Sequence, residues 1–257
     1  MIRLVQAEDR ALRKFCQESA FGCRILTAAE CYPMASFAAF WTQWDSGKIC
    51  AAVSRIESDG TVCCGSLSAE QREELALFVQ SLGMRSVLAP EGALPPERIR
   101  SSGAVMRFSW NAMPEDSAAE PISSARELAG LFSRCCGTGF DFSGDDAAYV
   151  DLSHRLRHGF CRAVGVRSAC GALCAAAMTV AESETEAVVG GVCTLPEYRE
   201  RGLASAAVQS LCTMLKNENR NIFCLPAGRG SRFTVGLVLP AAADGNSVES
   251  QIPAALF

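Results

Sequence analysis

Glu186-Ala187-Val188-Val189-Gly190-Gly191-Val192-Cys193-Thr194-Leu195-Pro196-Glu197-Tyr198-Arg199-Glu200-Arg201-Gly202-Leu203-Ala204-Ser205 is the stretch in which this sequence changes character most sharply. The apolar run up to Thr194 reads as a strand, and Pro196, which has no N–H to give a ladder, breaks it. A turn follows and opens into an amphipathic helix over about 201–217, whose apolar residues Ala204, Val208, Leu211, Cys212 and Leu215 recur at helical spacing. The first-turn N–H groups of such a helix have no partner within it, and the helix dipole puts partial positive charge there. That is a phosphate-sized anion site. Gly202 removes the Cβ that would stand between backbone and ligand, Ala204 stays small, and Arg199 and Arg201 add positive charge. The ligand implied is anionic, and a pyrophosphate fits. The plainer reading, a solvated helix entry, remains open for the three charges Arg199, Glu200 and Arg201.

Two better-known phosphate loops are excluded here. No Gly-x-Gly-x-x-Gly follows the strand, and no glycine-rich run closes on Lys and Ser or Thr. Gly228-Arg229-Gly230 is too short to identify a loop.

Outward from this stretch, helices are expected over 124–135 and Asp145 to about Arg157, then strands over 160–167, 170–180 and 186–194, and a last strand at 221–225. In the first half a helix is expected over 8–20, a short helix or packed loop over 34–44, and strands at Ile49–Ile56 and Thr61–Gly65, with Asp59-Gly60 as the turn between them. Ser68-Ala69-Glu70-Gln71 has the form of a capping box for a helix ending at Gly83. Strands at Ser86–Ala89 and Val105–Trp110 close this half, and the polar, proline-bounded residues 111–121 form the linker. The late elements of the first half repeat part of the second, which suggests an internal duplication.

Composition agrees with a folded chain. Its 257 residues are 49% apolar and 20% charged, enough for one large domain or two small ones at roughly 100–200 residues each. A net charge of −4 argues against a whole-protein nucleic-acid footprint. The 14 cysteines lack disulfide or Cys-x-x-Cys spacing and read as small buried hydrophobes, so no metal is expected. No long apolar segment occurs at the start or elsewhere, so a cytoplasmic protein without membrane or nucleic-acid partners is expected.

The run Arg199-x-x-Gly202-x-Ala204, preceded by Val192-Cys193-Thr194-Leu195-Pro196-Glu197-Tyr198, resembles the pyrophosphate loop and fourth strand of the GCN5-related N-acetyltransferase superfamily. The likeness covers residues 123–225. It implies an α+β chain of two acetyltransferase-like halves, each a mixed, mostly antiparallel sheet flanked by helices. Residues 1–115 would be a degenerate half and 122–257 the acetyl-CoA-binding domain. The resemblance implies that the backbone of Val192, Cys193 and Thr194 pairs with pantetheine, and that the N–H groups of Glu200, Arg201, Gly202, Leu203, Ala204 and Ser205 surround the pyrophosphate beside Arg199. It implies direct attack of a small-molecule or peptide amine on the thioester, with Glu186 or Glu184 as candidate catalytic base. Asp141 and Asp145 are candidates for attracting a cationic amine, and His154 and His158, at i,i+4, read as structural. The chain departs from the family after Leu225, where it has no tyrosine for a general acid. The alternative is therefore a non-catalytic acyl-CoA-binding or regulatory protein with the same fold, and a homodimer stays open.

Overall fold

The computed structural model describes residues 1–95, 105–108, 119–135 and 146–224. The chain divides into two compact units. Unit 1 comprises Met1–Ser102 together with Ala181–Glu186, and unit 2 comprises Gly103–Val180 with Ala187–Phe257.

Unit 1 is built on a five-stranded sheet in the order β1-β2-β3-β4-β5, with strands Ile2–Val5, Ala38–Asp45, Lys48–Ile56, Asp59–Cys64 and Ser86–Leu88. β1 to β4 pair antiparallel, and β5 runs parallel to β4. Helices α1 (Arg10–Phe15) and α2 (Ala20–Cys31) contribute to one core with Leu12, Cys16, Ile25, Leu26, Phe40 and Ala52. Helix α3 (Ala69–Ser81) contributes Leu75 and Val79 to a second, with Ala51, Val53 and Val62. Neighbouring residues Ala52 and Val53 belong to different cores, the period-two alternation of a strand covered on both faces.

Unit 2 repeats the plan. Its sheet has the order β6-β11-β10-β9-β8-β7, from Met106–Arg107, Asn221–Cys224, Glu186–Thr194, Leu173–Glu182, Ala163–Arg167 and Glu120–Ile122. Helices α4 (Ala125–Cys135) and α5 (Asp146–Arg157) share a core with Cys174, Ala176, Met178, Cys193 and Leu195. Helix α6 (Leu203–Asn217) buries Ala207, Val208, Leu211, Cys212 and Leu215 against Val164, Ala177, Val189 and Val192. From β1 to β5 and from β7 to β11 the order is the same: strand, two helices, three strands, helix, strand.

Several local expectations are corrected. Residues 38–45 are strand β2, with Phe40, Thr42 and Gln43 packed inward, where a short helix or packed loop was expected. The single helix expected over 8–20 is α1 followed by α2, each opened by its own cap, Asp9 and Ser19. The β3–β4 turn is Glu57-Ser58, since Ile56 pairs with Asp59, and Glu57 adopts φ +53. Gly60 lies inside β4, where a Cβ would collide with the Met84 side chain. Met106–Arg107 pairs with β11 and so belongs to the second sheet rather than closing the first. Of the expected linker, Glu120 and Pro121 lie in strand β7, and 111–118 fall outside the described residues.

The capping box at Ser68 and Gln71 is present in both directions. No described cysteine is in a disulfide, and burial pushes the Cys212 and Cys224 thiols up to about 12 and about 11, which keeps them protonated. No helix among the described residues is long and apolar enough to cross a membrane.

Candidate functional site

The site grows from the end of β10. Gly191 takes φ +53 inside the strand, and a Cβ there would lie 2.6 Å from Met178 Cγ and 3.1 Å from Phe132 Cζ. A glycine is required for both reasons. Beyond it, Val192 and Cys193 turn into the cores on opposite faces of the sheet, both 5% exposed, so only their backbones remain to offer a ligand. Thr194 ends the strand half-buried, and its Oγ1 is enclosed without a hydrogen-bond partner among the described residues. A buried hydroxyl in that condition is unusual.

Pro196–Tyr198 form a single 3-10 turn that starts with a proline, which suits a position whose N–H needs no partner. Two residues of the following turn are left-handed: Glu200 at φ +63 and Gly202 at φ +74. Gly202 is the N-cap of α6 and supplies no side-chain hydrogen bond. The first intrahelical bond runs from Ala206 N–H to Gly202 O, 2.9 Å, so the N–H groups of Leu203, Ala204 and Ser205 precede the ladder. There is no acidic residue in the first turn of this 15-residue helix, and a Cβ built on Gly202 meets open space. Alternating left-handed residues before a bare helix end make an anion-binding concavity.

Arg199, Glu200 and Arg201 are exposed around this concavity, and Leu203, Ala204 and Ser205 are half-buried. Arg199 Nε donates to Thr194 O at 3.4 Å. Arg201 donates to Glu197 O at 3.1 Å and sets its guanidinium 5.3 Å over the Tyr198 ring. Glu197 in turn holds Arg134 of α4 at 3.1 Å. The matching position in unit 1 is closed, because the α3 N-terminus is capped by Ser68 and Gln71.

The structure brings Val192 to Ser205 together as one continuous site. It does not bring the two glutamates to it. Glu186 stands at the other end of β10 from Thr194, eight residues at roughly 3.3 Å each, or about 26 Å away. Its carboxylate is fully buried, accepting from Glu18 N–H at 3.1 Å and from Ser183 Oγ at 2.7 Å. Beside it, Thr27 Oγ1 accepts from Glu182 N–H at 2.8 Å, so the hairpin tip is a packed element of unit 1. The Glu186 carboxylate is thus enclosed and doubly engaged at the hairpin tip. Glu184 is exposed on the same tip, at the same far end. Asp141 and Asp145 fall outside the described residues. The His154 and His158 rings lie 4.4 Å apart, tilted by 39°, and among the described residues no cluster of three metal-ligating side chains occurs.

No protein-family model and no curated protein matches the sequence. Solved structures do. A Drosophila protein is 13% identical with a TM-score of 0.52 over 87% of this chain and 88% of its own. A tandem GNAT protein from the clavulanic acid biosynthesis pathway, 13% identical with a TM-score of 0.49, aligns over 90% of this chain and 91% of its own. The likeness to the Drosophila protein, over most of both chains, is one of fold. A GNAT-family acetyltransferase described as putative, from Novosphingobium aromaticivorans, is 22% identical with a TM-score of 0.37. There the alignment spans only about half of each chain, 47% of this one and 49% of that one.

Three features were not visible in the sequence: the unpaired Thr194 hydroxyl, the left-handed Glu200 and the contacts of Arg201 with Glu197 and Tyr198. The only sequence signal for the last was an aromatic residue three positions before an arginine.

Proposed function

We propose that this protein binds acetyl-CoA at residues 192–205 of unit 2 and transfers the acetyl group to a primary amine on a small molecule or peptide. The observation that carries the reading is the bare N-terminus of α6, approached by two left-handed residues and lacking both an N-cap side chain and an acidic first turn. The residues present fit the ligand: open space over Gly202, exposed Arg199 beside it, and a buried unpaired hydroxyl on Thr194. When bound, acetyl-CoA supplies a thioester carbonyl open to attack by an uncharged amine. The protein's part is to bind and orient. Backbone N–H groups of 203–205 and the helix dipole take the pyrophosphate charge, with Arg199 adding its own. The backbone of Val192 to Thr194 would fix the pantetheine arm, the side chains of Val192 and Cys193 being committed to the cores. Holding the two reactants in register lowers the entropic part of the barrier.

Calorimetric titration with acetyl-CoA and CoA tests this. Saturable micromolar binding that is lost in Arg199→Ala and Gly202→Val is expected, followed by acetyl transfer in an amine screen. No binding by folded protein overturns the site.

A second reading is a non-catalytic acyl-CoA-binding or regulatory protein. It is favoured by the placement of Glu184 and Glu186 at the far end of β10, which leaves neither near Thr194. Binding without turnover of any amine would support it, and acetylation of one would exclude it.

A further inference from the structure

The two arginines of the turn have different surroundings. Arg199 is exposed, and its hydrogen bond, from Nε to the Thr194 carbonyl, is long at 3.4 Å and uses one of its five N–H donors. Arg201 already has two positioned contacts within the turn. It donates to the Glu197 carbonyl at 3.1 Å and lies 5.3 Å over the Tyr198 ring, within the range of a cation–π contact. Both partners are themselves anchored: Tyr198 packs on the core shared by α4 and α5, and the Glu197 carboxylate holds Arg134 of α4 at 3.1 Å. Between these anchors and α6 lie Glu200 and Gly202, the two left-handed residues that aim the backbone N–H groups. Glu200 has a Cβ, so its left-handed conformation is disfavoured locally and has to be held by its surroundings.

We infer that Arg201 is a positioning residue of the anion site: through Glu197 and Tyr198 it holds the turn in its left-handed form, while Arg199 is the arginine that meets the phosphates. This rests on the proposed function for the identity of the ligand, but the clasp itself is a property of the free protein. The two roles differ in how they respond to salt. A charge that meets phosphate is screened over about 8–10 Å at 0.1–0.15 M ionic strength, so removing it makes binding less salt-sensitive. Removing a residue that shapes the backbone weakens binding equally at all ionic strengths.

The test is CoA titration of the wild-type protein, Arg201→Ala, Tyr198→Ala, the double variant, Arg201→Lys and Arg199→Ala, each at low and high salt. Arg201→Ala should weaken CoA by roughly 5- to 30-fold, the worth of one cation–π contact and one hydrogen bond, and Tyr198→Ala by at least the roughly 2- to 5-fold of the cation–π contact alone. The double variant should be no weaker than the worse single one, and Arg201→Lys should recover most of the loss. Salt dependence should match wild type in Arg201→Ala and flatten in Arg199→Ala. Flattening in Arg201→Ala, with losses that add to those of Tyr198→Ala, would overturn the inference. If wild-type protein binds no CoA, the proposed function falls, and thermal unfolding of the same four-protein cycle without ligand decides the clasp alone. Non-additive losses in Tm uphold it and additive ones overturn it.

Discussion

Replacing Thr194 with valine should make the ligand-free protein more stable and its ligand binding weaker. Thr194 Oγ1 is enclosed at the end of β10 and has no hydrogen-bond partner among the described residues. Burying a hydroxyl in that state costs about 1–3 kcal/mol, and valine restores the shape with a methyl group that needs no partner. Unit 2 is of a size where 1 kcal/mol moves Tm by roughly 2–4 °C, so the gain should be on the order of 2–12 °C. Valine also suits a strand at least as well as threonine, which does not oppose the effect. Scanning calorimetry is the appropriate assay, because it reads the unfolding of both units, whereas two of the three tryptophans, Trp41 and Trp44, lie in unit 1. Thr194→Ser keeps the hydroxyl and loses the methyl, so it should be less stable than wild type. With CoA or acetyl-CoA, Thr194→Val should lose about 3- to 12-fold in affinity if the hydroxyl serves the ligand, the value of one ordinary hydrogen bond. Equal or lower stability for Thr194→Val would refute the reasoning, since the hydroxyl would then have to be satisfied in the folded protein.

Three further outcomes are expected. Gly22→Ala, normally favourable in a helix, should destabilise unit 1 by about 1–3 kcal/mol in urea unfolding, because its Cβ would land on the Cys16 carbonyl of the preceding turn. The Glu218 carboxylate is held below its ordinary range by hydrogen bonding to Arg162, with Arg220 adding to it. A lowered folded-state pKa gives stability that is present above the ordinary carboxylate range and lost as pH falls through the folded value. Because the pair is partly exposed, Glu218→Gln should remove less than about 1 kcal/mol at pH 7 and progressively less as the pH is lowered into the acid range, read from melting curves. Finally, titration should show one CoA per chain, because α3 of unit 1 has its N-terminus closed by its own capping box. A stoichiometry of two would mean that Ser68 and Gln71 yield to the ligand.

The elements around the site were readable because each has a local cause. The box at Ser68 and Gln71, the break at Pro196 and the apolar face from Val208 to Leu215 all depend on residues within a turn or two of one another. What escaped depends on distant partners. Phe40, Trp41 and Trp44 suggested a short helix or packed loop, because the neighbours that make them a strand come from β3. Gly60 read as a turn because its packing against Met84 cannot be seen from the adjoining residues. Met106–Arg107 read as the end of the first half because its partner, β11, is far along the chain. Glu186 was correctly placed on a strand, but neither its burial nor the length of strand between it and Thr194 entered a reading made by residue type.

The pairing of β6 with β11 has a consequence for the order of events during synthesis. Met106 emerges from the ribosome long before Cys224, its partner in the ladder. The hairpin tip Ala181–Glu186 is likewise missing when residues 1–102 have been made, although it belongs to the same compact unit. Unit 1 thus waits for a piece made late in the chain, and β6 waits for its strand partner, so neither unit is complete until β10 and β11 have been made. Nascent chains halted before residue 181 should therefore be more protease-sensitive throughout residues 1–102 than the finished protein, and should acquire full protection together, late, once β10 and β11 are present.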